Sequence, residues 1–97
     1  MLLHIGGDVG IPLSRVLFVL NGTGITPGAK AYIDLARKQR RYIRCGGKAK
    51  SYVIVQEQHR ETVYESMIAS VTLEKRWRDE VGRKYLNDVA VLSITDA

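Results

Sequence analysis

The sequence predicts a small α+β domain from three observations: short β-branched runs bounded by glycine turns, one capped amphipathic helix, and a second periodic stretch toward the C-terminal end. The expected architecture is a small antiparallel sheet of four to five strands, a main helix from Pro27 to about Arg40 and a C-terminal helix near 73–85. Residues 1–80 would form the domain, and 81–97 the end of that helix and a tail. A chain of 97 residues buries only about 60 to 65% of the surface its unfolded form exposes. Its core is thin, and association of copies would add to it.

"LLHIGGDVGIPL" reads as a short strand, a glycine turn around Gly6, Gly7 and Asp8, and a second extended piece ended by Pro12. "RVLFVL", from Arg15 to Leu20, is a continuous apolar strand, either covered on both faces or packed against a neighbouring subunit. "NGTGITPGAK" is a turn-rich connector leading into the main helix. Thr26 suits the N-cap, and Pro27 suits the first helical position because its missing N–H would be unpaired there anyway. On that helix Tyr32, Ile33, Leu35 and Ala36 are expected inward, with Lys30, Asp34, Arg37, Lys38 and Arg41 outward.

"YIRC" and "KSYVIV" read as an antiparallel pair joined through Gly46-Gly47. A two-residue loop would set Ile43 against Lys50 and send Arg44 to the opposite side, whereas a three-residue loop would bring Arg44 and Lys48 together. "ETVYESMIASV" is a further strand candidate. Thr72 is a candidate cap for the second helix, whose apolar stripe of Leu73, Trp77, Val81 and Tyr85 covers only an edge of the core. "VAVLSITDA" is a final strand or a loose tail.

The charge pattern is the main departure from an ordinary globular composition. Net charge is +5. From Arg37 to Lys50 the chain carries seven Lys or Arg, with no Asp or Glu between Asp34 and Glu57. The last turn of the helix uses one or two of these against its dipole; together they exceed what capping needs and favour a polyanionic partner. Catalysis finds little support. Asp8 lies in a glycine turn, His4 alternates with apolar residues, and "GGDVG" lacks the Lys and Ser/Thr of a phosphate-binding loop. Cys45 is the only cysteine and is read as a buried, inert thiol, so neither an intrachain disulfide nor a compact metal site is expected, and no cofactor. The apolar stretch "VLFVL" is too short to span a bilayer, and no basic leader follows Met1, which points to a cytoplasmic protein without membrane contact.

The succession "LHIGGDVGIPLSRVLFVLN", "TPGAKAYIDLARKQR", "CGGKAKSYVIV" and "VYESMIASVTLEKRW" resembles the Rem family of small bacterial extracellular-matrix regulators, over residues 3 to about 77. Its "LHIGGD" start looks more like the RemB branch than the RemA branch. The resemblance implies a DNA-binding transcription regulator of matrix and biofilm genes, LytTR-like in fold, assembling as ring-like homo-oligomers that grip and bend double-stranded DNA. In RemA-like proteins the DNA-contacting arginines precede the apolar strand and lie in the hairpin turn; here those positions are Arg15 and, in the turn, Gly47, Lys48 and Lys50. Lysines replace arginines in the turn, and lysine holds phosphate without the bidentate fork that reads guanine, so low sequence selectivity is implied.

The expected DNA-binding surface therefore comprises Arg15, Lys48 and Lys50, with Arg37, Arg40, Arg41 and Arg44 added by charge clustering. The expected subunit interface comprises "VLFVL" and "GITPG". The alternative is a protein-interaction adaptor whose basic face binds an acidic partner without DNA contact.

Overall fold

Residues 1–82 of the chain are described in a computed structural model, and their fold is α+β. The order is β1 (Leu2–His4), β2 (Gly10–Pro12), a 3-10 turn (Leu13–Arg15), β3 (Val16–Asn21), α1 (Pro27–Lys38), β4 (Tyr42–Arg44), β5 (Ser51–Glu57) and β6 (Arg60–Ser66). A second helix, α2, follows through residues 70–82. The expected helix end near residue 85, the stripe position Tyr85 and the "VAVLSITDA" segment lie outside the described residues.

The strands divide into an antiparallel β1–β2 ribbon and a four-stranded sheet ordered β3-β5-β6-β4. The large sheet is mixed, not antiparallel throughout, because β4 runs parallel to β6. The expected hairpin between "YIRC" and "KSYVIV" does not form: β6 lies between β4 and β5. Closure entropy accounts for the outcome. Only Gln58 and His59 connect β5 to β6, and a loop this short costs least to close. That hairpin aligns seven residue pairs, from Ser51 with Ser66 to Glu57 with Arg60. β4 is left with the free side of β6, and residues 45–50 arch over its end. The Cys45 N–H donates to the Glu65 carbonyl at 3.0 Å, and the Lys50 N–H to the Ser66 carbonyl at 2.8 Å.

The alternation of β5 sends Val53 and Val55 to one face and Ile54 to the other, so both faces are apolar and both are covered. On one face Leu3, Ile5, Ile11 and Leu73 bring the β1–β2 ribbon and α2 against the sheet. On the other, Ile33 and Ala36 of α1 meet Ile54 and Val63. The Thr26 hydroxyl caps α1 by accepting from the Ala29 N–H at 3.2 Å. The helix stops at Lys38, two residues before the expected end, because Arg40 takes a left-handed φ of 58°.

Three local expectations are corrected. Leu35 is exposed, because the α1 contact is carried by positions 33 and 36 and ends there. Thr72 does not cap α2: its N–H and that of Leu73 both bond to the Ala69 carbonyl, so the helix begins earlier. The strand read over "ETVYESMIASV" ends at Ser66, whose hydroxyl donates to the Ile5 carbonyl at 2.6 Å and accepts from the Ile68 N–H at 3.0 Å, turning the chain.

Candidate nucleic-acid interface

The seven residues expected at the interface fall into three places. Arg15 is exposed at the end of the 3-10 turn before β3. Val16 pairs with Val55, whereas Gly22 at the other end of β3 bonds to the Lys50 carbonyl. Arg15 and Lys50 thus stand at opposite ends of the sheet, about 20 Å apart by strand rise. One subunit does not gather Arg15 with the lysines into a single compact patch.

Lys48 and Lys50 are exposed on the arch of residues 45–50. This arch is built tightly. Gly46 and Gly47 take φ of 96° and 72°, values that side chains disfavour. A Cβ on Gly47 would lie 2.8 Å from the Met67 sulfur, and one on Gly7 would lie 2.9 Å from the Cys45 carbonyl oxygen. The "GG" pairs at 6–7 and 46–47 therefore let the glycine turn, Met67 and the arch pack against one another. Cys45 is half-buried beneath, and burial pushes its thiol pKa up.

The α1 end and β4 hold the remaining cations. Arg40 is exposed. Arg41 is spent within the chain: its Nε donates to Gln39 at 2.8 Å, its Nη1 to the Glu61 carbonyl, and its guanidinium lies 5.9 Å from the Tyr32 ring centroid. The Tyr32 hydroxyl donates to the Glu61 carboxylate. Arg37 and Arg44 converge on Glu65. Arg37 Nη2 is 3.8 Å from Oε1, and Arg44 Nε is 3.8 Å from Oε2. The Tyr42 hydroxyl donates to Oε1 and accepts from Arg37 at 3.1 Å, while the Arg37 guanidinium sits 4.6 Å from the Tyr42 ring centroid. Burial, then the bond to Glu65, pushes the Tyr42 phenol up to about 12, so it stays protonated and donating.

Glu61 and Glu65 carry no signal in the linear pattern, where the basic run looks uninterrupted. A period-two reading of β6 could have set both on one face with Val63, but the parallel β4–β6 pairing that slides Arg44 opposite Glu65 is a long-range event. Arg15, Arg40, Lys48 and Lys50 make no ion pair among the described residues.

An apolar surface lies along β3. Among the described residues this strand is an edge strand and is not covered on both faces: Phe18 is 64% exposed, and Leu17 is exposed beside it at a shift of register. A groove between β3 and α2 is lined by Leu17, Phe18, Glu74 and Trp77. The "GITPG" turn is largely exposed, with Ile25 packed inward. No helix among the described residues is long and apolar enough to cross a membrane. Neither a protein-family model nor a curated protein matches the chain.

Proposed function

We propose that the protein is a Rem-type, LytTR-like DNA-binding regulator of extracellular-matrix and biofilm genes, acting in the cytoplasm as a ring-like homo-oligomer and not as an enzyme. The observation that carries the DNA-binding part is the arch of residues 45–50: two exposed lysines with no ion-pair partner among the described residues, on a loop where Gly46 is exposed with open space around its backbone. Such a surface attracts phosphate and lets a duplex approach closely. The 20 Å between Arg15 and Lys50 suits an extended duplex or repeated copies better than a small anion. The apolar β3 edge supports association, since a six-residue strand with exposed Leu17 and Phe18 invites a partner.

Duplex binding measured across salt tests this function. Affinity should fall steeply as salt rises, and Arg15→Ala or Lys48→Ala should each weaken binding with little change in melting temperature. Unchanged affinity in both variants would remove the assignment, and association with an acidic protein without duplex binding would favour the adaptor. Because lysine lacks a base-reading fork, preference for a target promoter over scrambled DNA of equal composition should stay under about a hundredfold.

A further inference from the structure

Glu65 carries more partners than a buried carboxylate needs. Its side chain is 10% exposed, and one cation would compensate its charge. It instead faces two guanidiniums and a phenol. The side chains of Arg37 and Arg44 remain 46% and 73% exposed, so the cluster is a buried anion beside two outward cations, with one positive charge in excess.

We infer that Tyr42 and Glu65 are positioning residues for polyanion contact, which hold the Arg37 and Arg44 guanidiniums ready to grip phosphodiester oxygens. This rests on the DNA-binding function proposed above and adds to it a second phosphate-gripping point, beside β4, distinct from the arch. The direction of each hydrogen bond favours it. The Tyr42 hydroxyl gives its proton to Glu65, leaving its lone pair to accept from Arg37, while the ring supports the same guanidinium from below. Arg37 spends one donor on Tyr42, and a guanidinium has five. Arg44 spends none in a hydrogen bond among the described residues and is held by Glu65 through charge. A free arginine gives up extensive rotamer freedom on binding phosphate; one already held gives up less. Arg41 spends two donors, on Gln39 and the Glu61 carbonyl, and is less exposed than Arg37 or Arg44.

A double-mutant cycle with Tyr42→Phe and Arg37→Ala tests the inference, read by fluorescence anisotropy on a duplex well below each variant's melting temperature. Tyr42→Phe keeps every charge and the ring, and removes only the hydroxyl. It should weaken duplex binding about threefold to tenfold in the wild-type background and less than about twofold in the Arg37→Ala background. Equal losses in both backgrounds, as general structural damage would give, overturn the inference while leaving DNA binding intact. Absence of duplex binding by the wild-type protein at low salt overturns both. Should Tyr42→Phe melt below the assay temperature, Arg37→Lys replaces it: lysine keeps the charge but not the planar fork, so wild-type affinity in that variant overturns the inference.

Discussion

The two outer strands of the main sheet face the same physical problem and meet it differently. Among the described residues β3 and β4 each pair on one side only, and an unpaired strand edge is a template for another chain. β4 is three residues long, ends in Arg44, and sits among cations anchored by Glu61 and Glu65. β3 is twice as long, has no charged residue, and exposes Leu17 and Phe18; its one irregularity is the register shift between Val16 and Phe18. Under the proposed function, charge and shortness suit the β4 edge to a polyanion, whereas the apolar β3 edge suits a second copy. The two proposed contacts then fall on opposite edges of one sheet.

Breaking the apolar edge should give the largest effect. Phe18→Asp should weaken self-association by about thirtyfold or more, the loss expected when an aromatic anchor worth about 2 kcal/mol is removed from an interface. Ile43→Asp, at a site on β4 that is also exposed, though less so, should leave association unchanged. Sedimentation equilibrium of the two variants compares the edges directly, and equal effects would erase the distinction between them.

A smaller effect is expected where the basic arch is pinned. Gly47→Ala places a Cβ at φ 72° against Met67 and should cost about 1 to 2 kcal/mol in chemical denaturation. Gly46→Ala, at φ 96° but with open space around its Cβ, should cost less. If Gly47→Ala is the milder of the two, Met67 does not hold the arch.

The smallest effect should appear in alkali, at the β4 edge and not at β3. The Tyr42 phenol titrates near 12 in the folded chain, against about 10 when unfolded. Since the folded state holds the proton more tightly, its contribution is complete below pH 10 and is lost as pH rises toward 12. Stability should fall across that window, and the part due to Tyr42 should vanish in Tyr42→Phe. β3 has no titratable side chain and should add nothing. Phenolate absorbance recorded alongside denaturation checks both statements.

Short-range features were legible in the residues themselves. Thr26 and Pro27 start α1 through bonds within one turn, the glycine turn folds β1 onto β2, and the β5 run is extended because its side chains are β-branched or aromatic. The basic segment was legible as composition. Its partition was not. Whether a cation stays free or faces a carboxylate depends on which strand lies beside it, and the Gln58-His59 connection, with no glycine to announce it, drew β6 between β4 and β5. Arg44 came to Glu65 across 21 residues through that pairing, and Arg15 went to the end of the sheet away from Lys50 through the antiparallel β3–β5 register. The sequence by itself determined most of the elements, the α1 cap and the excess of positive charge, because those follow from neighbours within a few residues. Tertiary structure alone decided which cations are held over carboxylates, which remain free and which edge stays open, because strand order is set by the competition between loop closures.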